Sequence, residues 1–196
     1  MGLFGKETCG ACGGELGSGK RKLVGGPLCG ACADKLSPFF ADWDEATLSD
    51  AKAQLAYREA NKADVAAFNP TRTLGTFTKV LLDDDARKLI IASSDEWRAC
   101  NPDVIDFSQV IGCDVEVYES RTEVKSDLGG EKEVDCDSAH YEVSFEIFVS
   151  IDVDSPWFDV IELKTHQGRI EEKHSPAYAD ARQRAFEIRS VLTDLA

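Results

Sequence analysis

The chain has 196 residues, of which 43% are hydrophobic and 9% aromatic, and this composition favours a folded protein over wholesale disorder. Its formal net charge is −14, yet the first 40 residues hold five basic and three acidic groups, so the negative charge belongs to the remainder. An acidic body repels nucleic acid and anionic lipid at long range, which confines any nucleic-acid role to the first 40 residues and disfavours an anionic membrane as a partner.

The N-terminus and the cysteine content indicate where such a protein works. No apolar run approaches the roughly 20 residues that span a bilayer. Residues 1–6 lack the hydrophobic core of a signal peptide, and Lys6 stands where a myristoylation signal requires Ser or Thr. Seven cysteines, four of them in CxxC pairs, favour metal binding over the even-numbered disulfide scaffold of a secreted protein. We therefore expect a cytoplasmic protein without a membrane span.

Two CxxC pairs near the N-terminus, Cys9 with Cys12 and Cys29 with Cys32, predict a metal site. Zinc prefers four soft ligands in a tetrahedron, and two such knuckles across a short hairpin supply them. Four cysteine ligands leave no open coordination position, which favours one structural zinc ion per chain over a catalytic one. A redox CxxC or an iron–sulfur cluster is the alternative, although redox motifs rarely come as two matched knuckles.

Residues 1–40 are expected to form a small zinc-binding knuckle domain of the treble-clef or zinc-ribbon type. Glycines at 17 and 19 predict a hairpin in which Glu15 and Leu16 pair with residues 21–24. Few large apolar side chains are present, so metal binding should supply most of the folding free energy. The basic residues Lys20, Arg21 and Lys22 could contact nucleic acid from this hairpin, although a solvated loop is the simpler interpretation.

Residues 41–72 are predicted to link this domain to the rest of the chain through a helix from residue 45 to about 67. Thr47 or Ser49 can cap its start. Leu48, Ala51 and other apolar residues recur at helical spacing, so we expect an apolar face that packs on one of the two domains.

From residue 76 the apolar period changes to two, which indicates strands. Residues 76–82 and 88–92 predict a hairpin around Asp83-Asp84-Asp85, a run that lacks calcium-loop spacing and is interpreted as a turn. Residues 106–118 and 141–153 predict two long strands, each with one buried and one wet face.

The last segments complete an α+β fold class. Residues 161–163 predict a further strand, and a polar loop containing Gly129-Gly130 joins the two long strands. Ser175 as a cap and Pro176 as the first helical residue begin an amphipathic C-terminal helix. Residues 73–196 are therefore expected to form an antiparallel β-sandwich or partly open barrel with a C-terminal helix.

Further candidate reactive groups are three cysteines and three histidines: Cys100, Cys113, Cys136, His140, His166 and His174. Cys113 falls on the apolar face of a predicted strand, which is typical of a small core residue. The histidine spacings match no zinc-protease or dyad motif, so we expect surface or edge-strand histidines. The sequence contains no Gly-rich phosphate loop and no GxSxG elbow, which lowers the prior for an enzyme.

Several segments resemble a bacterial family of uncharacterised proteins with an N-terminal four-cysteine zinc domain. They are residues 2–6, the two knuckles, and residues 35–40, 68–72 and 104–110. The resemblance implies zinc binding at the four knuckle cysteines and implies no activity. Residues 73–196 are also similar in strand order to a bacterial pleckstrin-homology-like (PH-like) domain, a likeness that does not by itself imply lipid binding.

Three classes of function stay open. The favoured one is a non-enzymatic zinc-containing interaction or adaptor protein that presents surfaces to a protein partner or to copies of itself. Sheet edges and exposed side chains of Phe148 and Trp157 are its expected contact points. Nucleic-acid binding through Lys20, Arg21 and Lys22 is the first alternative, and an enzyme with an unrecognised site in the β-domain is the second.

Overall fold

The computed structural model describes residues 7–40, 43–124 and 140–195, which form an α+β fold with three antiparallel sheets. A two-stranded hairpin, a four-stranded sheet and a three-stranded sheet follow one another along the chain. Their strands are β1 (Arg21–Leu23) and β2 (Gly26–Leu28), then β3 (Arg72–Leu74), β4 (Lys79–Asp83), β5 (Lys88–Ala92) and β6 (Ile105–Asp106), then β7 (Val110–Val124), β8 (His140–Val153) and β9 (Val160–Lys164). The helices are α1 (Gly30–Ala33), α2 (Leu48–Ala67), α3 (Trp97–Cys100) and α4 (Pro176–Thr193), with a 3₁₀ turn at Phe107–Gln109.

The main core lies between the two larger sheets and α4. Alternate residues of β8 point inward from Phe145 to Val153, which confirms the predicted period of two. Helix α4 begins as predicted, because the Ser175 hydroxyl accepts a hydrogen bond from the backbone N–H of Tyr178 at 3.2 Å and Pro176 follows the cap. Its buried residues lie on one stripe, as expected of an amphipathic helix: Tyr178, Ala181, Ala185, Ile188 and Leu192. In the ranges the structure describes, β6 and β7 belong to different sheets, so these strands do not close into one barrel.

The four-stranded sheet is covered on both faces. Val80 and Leu82 of β4 face the main core, whereas Leu81 packs in a second cluster with Ile90 and with Val65 of α2. The predicted hairpin of β4 and β5 is confirmed, and Asp83 closes it by accepting hydrogen bonds from backbone N–H groups, including that of Ala86 at 2.9 Å. The acidic run is therefore a turn, as predicted.

The predicted register of the N-terminal hairpin was wrong. Strands β1 and β2 pair through Leu23 with Gly26, so the hairpin turns at Val24-Gly25 rather than at residues 17–19. Gly25 and Gly26 have φ of 91° and 145°, which glycine adopts most readily, and this turn lets Leu23 and Leu28 both be buried. Glu15 instead bridges to Thr8.

Helix α2 departs further from expectation, because its buried face is largely polar. It begins at Leu48 under a reciprocal capping box between Thr47 and Asp50, with both backbone-to-side-chain bonds present at 3.0 and 3.1 Å. Its buried residues are Ala51, Gln54, Arg58, Asn61 and Val65. The helix packs both on residues 7–40, which we name the N-terminal module, and on the β-domain that follows it, not on one of them.

Five buried polar residues connect the N-terminal module, α2 and the β-domain. We name them the polar joint: Ser37, Gln54, Arg58, Asn61 and Asp103. Asp103 accepts hydrogen bonds from the Ser37 hydroxyl at 2.6 Å and from Nη1 of Arg58 at 3.0 Å. Nε of Arg58 also donates to the carbonyl of Lys35 at 3.2 Å. Gln54 accepts from the backbone N–H of Ser37, and Asn61 accepts from that of Val104. These bonds satisfy most of the buried polar atoms of the joint, whereas Nε2 of Gln54 is buried and has no hydrogen-bond partner among the described residues.

Aromatic contacts reinforce the joint and correct a further expectation. Trp157 is half-buried against both the main core and the N-terminal module, and its ring lies 5.9 Å from that of Tyr57. Phe39 and Phe158 pack edge to face with ring centroids 5.6 Å apart. Phe148 is half-buried as well, so neither it nor Trp157 is the exposed contact point that the sequence suggested.

The remaining candidate residues divide as follows. Cys113 is buried in β7, as predicted, and Cys100 is exposed. His174 is exposed, as expected. His166 is buried rather than at the surface, and it lies just after the end of β9, which is an edge strand of its sheet. Cys136, Gly129-Gly130 and the side chain of His140 lie outside the described residues.

Candidate metal centre

The four knuckle cysteines come together as a compact cluster of sulfur atoms. The Sγ atoms of Cys9, Cys12, Cys29 and Cys32 all lie within 4.8 Å of one another. Those of Cys12 and Cys29 are 3.8 Å apart. A tetrahedral zinc–thiolate site with bonds of about 2.3 Å has sulfur–sulfur edges of about 3.8 Å. The cluster therefore fits one metal ion bound by four sulfurs.

The first knuckle is a tight turn held by its own backbone. The N–H of Gly13 donates to the carbonyl of Cys9, and the N–H of Cys9 donates to the carbonyl of Gly14, each at 2.8 Å. Gly13 has φ of 73°, a conformation that side chains disfavour. Gly10 donates to the carbonyl of Pro27 at 2.8 Å, which anchors this knuckle to β2.

The second knuckle lies at the start of α1. Cys29 precedes the helix, and its carbonyl accepts from the N–H groups of Cys32 and Ala33 at 3.0 Å each. This single turn brings Cys32 back to the side of Cys29. The N–H of Cys29 also donates to Sγ of Cys9 at 3.3 Å, which links the two knuckles. Backbone N–H donors of this kind stabilise negative charge on a metal-bound thiolate.

The environment shifts the pKa values of Cys9 and Cys32 in opposite directions. Burial raises the pKa of Cys9, but hydrogen bonds from the backbone of Cys12, Cys29 and Ala11 outweigh it and lower the pKa to about 6. Burial, hydrogen bonding with the other thiols and the negative charge of Cys9 raise the pKa of Cys32 to about 12. Cys9 therefore ionises before Cys32, and a bound cation would be needed to displace the proton of Cys32 near neutral pH.

Three of the four clustered cysteines are buried, and Cys12 is exposed. The small core around them contains leucines from both hairpin strands together with Leu36, Phe40 and Ala51. Leu48 of α2 also packs there, with its Cδ2 so close to Gly10 that a Cβ on that residue would lie 2.3 Å away. The metal centre thus shares its core with the first turns of α2.

The basic hairpin residues lie at an open groove. Lys20, Arg21 and Lys22 are exposed and line a depression of about 470 Å³ together with Glu7 and the β1–β2 turn. The guanidinium of Arg21 stacks over Trp43 at 5.3 Å from the ring centre. The structure therefore brings the three cations onto one surface, with one of them engaged by an aromatic ring.

The polar joint is what sequence reasoning missed. Its signal was present, because Gln54, Arg58 and Asn61 follow Ala51 at helical spacing toward Val65. Polar side chains on such a stripe are normally solvated, and their burial depends on partners at residues 35–37 and 101–104 that no local pattern indicates.

Comparison with known proteins supports the N-terminal module. Residues 8–54 match a family model described as Domain of unknown function (DUF4428). The matched segment contains all four cysteines and extends into α2. No curated protein and no solved structure matches the chain. Among the helices in the described ranges, none combines the length and apolar character needed to cross a membrane.

Proposed function

We propose that the four cysteines hold a structural zinc ion. The donor set and its spacing carry this assignment, because four thiolate sulfurs within 4.8 Å of one another surround a single ion, are typical of structural zinc and leave no position for substrate. Protein purified without added metal should contain about one zinc per chain by elemental analysis. Stoichiometric iron with visible charge-transfer absorption would contradict the proposal.

On this basis the chain acts as a non-enzymatic interaction or adaptor protein. The closed metal site supports this function, because it stabilises a module of 8–54 that packs on a separate β-domain through α2. The β-domain has a four-stranded sheet, a three-stranded sheet and a closing helix. We infer from this order of elements that it is PH-like. Such domains present edges and loops on a rigid framework, and the fold alone assigns no ligand.

The test is association of the full zinc-loaded chain. We expect either self-association at micromolar concentration in sedimentation, or a stoichiometric protein partner that co-purifies from the native host. Cys12→Ser should weaken association that uses the zinc module, whereas Cys100→Ser should not. A strictly monomeric chain without any co-purifying partner would overturn this function.

Nucleic-acid binding through the hairpin is a second candidate, supported by the groove that Lys20, Arg21 and Lys22 share. The variant Lys20→Ala/Lys22→Ala keeps the stacking of Arg21 on Trp43 and removes two cations. It should weaken binding to a short duplex and reduce the salt slope by about one per lost phosphate contact. Salt-independent binding, or none at low salt, would dismiss this candidate.

A further inference from the structure

Strand β7 has an unpaired edge in the part of the chain that the structure describes. It runs for 15 residues and pairs with β8 along its length, but it stands at the end of the order β7-β8-β9. Edge strands carry a row of backbone N–H and C=O groups that can pair with another strand. We name residues 114–120 of this strand the β7 edge.

The two sides of the β7 edge differ in chemistry. Val115 and Val117 are opposite Val149 and Ile147 of β8, so they lie on the side of the core. Val117 is nevertheless 40% exposed, and Val115 is half-buried. The two valines are therefore not fully covered by other side chains of the described residues. Asp114 and Glu116 alternate with the two valines and lie on the opposite, solvent-facing side.

That solvent-facing side belongs to an acidic sheet face. Its carboxylates are Asp114, Glu116, Glu142, Glu146, Asp152 and Glu162. Lys164 pairs with Glu146, Arg169 pairs with Glu142, and Arg189 approaches Asp114 at 3.9 Å. Among the described residues, no cation forms an ion pair with Glu116, Asp152 or Glu162. The face therefore keeps an excess of negative charge beside the β7 edge.

An aromatic pair lies within this face. Tyr118 is 46% exposed, and its ring packs edge to face on Phe148 at 5.6 Å. Its hydroxyl donates to Glu116, which fixes the carboxylate beside the ring. A cation placed there would meet both a carboxylate and the face of an aromatic ring, each of which attracts it.

A second copy of the chain is a poor occupant of this edge. Strand β7 itself carries Asp114, Glu116, Glu119 and Glu123 against one basic residue, Arg121. Antiparallel pairing of two such strands would bring like charges together across the interface, which destabilises the pair. Charged edges of this kind prevent self-pairing and still admit a strand of opposite charge.

We propose that the β7 edge binds an extended segment of a partner protein in which basic and apolar residues alternate. The segment adds as a fourth strand, its basic side chains lie over Asp114 and Glu116, and its apolar side chains complete the row of Val115 and Val117. This inference rests on the proposed interaction function and specifies its surface and the chemistry of its partner.

The test uses the full zinc-loaded chain and a labelled peptide of alternating lysine and valine, about seven residues long. We expect saturable binding at low salt and slower amide hydrogen exchange at residues 114–120. The variant Asp114→Asn/Glu116→Gln should weaken binding about fivefold, since each exposed charge pair contributes modestly. Asp85→Asn/Glu96→Gln removes the same charge outside this sheet and should bind the peptide as the wild type does.

Three altered peptides distinguish strand addition from general electrostatic attraction. N-methylation of alternate amides removes the donors of one peptide edge, so one of the two methylation registers should abolish binding while the other preserves it. A glutamate–valine peptide should not bind. The inference is overturned if the lysine peptide fails to bind, if neither methylation matters, or if both double variants bind equally. A native partner whose binding ignores Asp114 and Glu116 would also overturn it, yet leave the proposed function standing.

Discussion

Replacing Asp103 with alanine should destabilise the protein far more than the loss of an exposed ion pair. The side chains of Arg58 and Asp103 are 8% and 1% exposed, and they meet at 3.0 Å. In the variant, the guanidinium stays buried without its counter-charge. The hydroxyl of Ser37, which donates to the same carboxylate at 2.6 Å, loses its acceptor as well.

The magnitude follows from that burial. Removing one partner of a buried ion pair costs about 3–5 kcal/mol, out of a total stability of about 5–15 kcal/mol. For a chain of this size each kcal/mol shifts the melting temperature by about 2–4 °C, so a fall of roughly 6–20 °C is expected. Glu59 pairs with Lys62 on the same helix, with side chains 73% and 59% exposed. Glu59→Ala is therefore the matched control and should shift the melting temperature by less than about 2 °C.

Urea denaturation of zinc-loaded protein, followed by circular dichroism and tryptophan fluorescence, measures the losses in free energy of unfolding. Thermal denaturation followed by circular dichroism measures the shifts in melting temperature. Arg58→Met combined with Asp103→Ala should recover part of the loss, because the uncompensated charge is gone. The reasoning is refuted if Asp103→Ala costs no more than Glu59→Ala. Strict additivity of the two single changes would refute the coupling between Arg58 and Asp103.

Three further changes test other features. The pKa of His166 is lowered because burial, and then the positive charge of Lys164, disfavour the imidazolium form. The contribution of neutral His166 to the free energy of unfolding is therefore complete above its unfolded-state pKa of about 6.5. That contribution is lost as the pH falls through the lower pKa of the folded state. His166→Gln should therefore flatten the decline of stability below about pH 6.5, and an unchanged profile would contradict this. Gly75→Ala should lower the free energy of unfolding, measured by urea denaturation, by at least about 1 kcal/mol more than Gly168→Ala does. Both glycines have positive φ, but only at Gly75 would a new Cβ meet a backbone atom, at 2.6 Å. Equal losses for the two variants would contradict this. Cys12→Ser should reduce bound zinc to well below one per chain by elemental analysis while Cys100→Ser leaves it unchanged, and retained metal would exclude Cys12 as a ligand.

Local sequence patterns correctly predicted the cysteine cluster, strand β8 and the start of α4. The spacing of the CxxC pairs predicted a cluster that the fold assembles, because two thiolates separated by two residues reach the same point. Alternation predicted β8, and the cap at Ser175 predicted the start of α4. In each case the signal lies within one element and needs no partner from elsewhere in the chain.

Long-range partners explain the errors. Glycines at 17–19 and at 25–26 both offer a hairpin turn, and burial of Leu23 with Leu28 decides between them. The sequence predicts a surface or edge-strand position for His166. It lies just after the edge strand β9 but is buried there, and its Nε2 accepts a hydrogen bond from the backbone N–H of Ile147 at 3.3 Å. Such bonds depend on how segments meet in three dimensions, which periodicity does not encode.

Helix α2 connects the cysteine cluster with the β-domain. Its first turn places Ala51 in the core around the cysteines. Over the next two turns, Gln54 and Arg58 bind residues 35–37. Arg58 also binds Asp103 on the β-domain side. A metal ion that orders the two knuckles would therefore also order α2, which carries Arg58 of the Arg58–Asp103 ion pair. The division into residues 1–40, 41–72 and 73–196 stays a prediction, and these contacts give a physical route by which metal binding in the first part stabilises the position of the third.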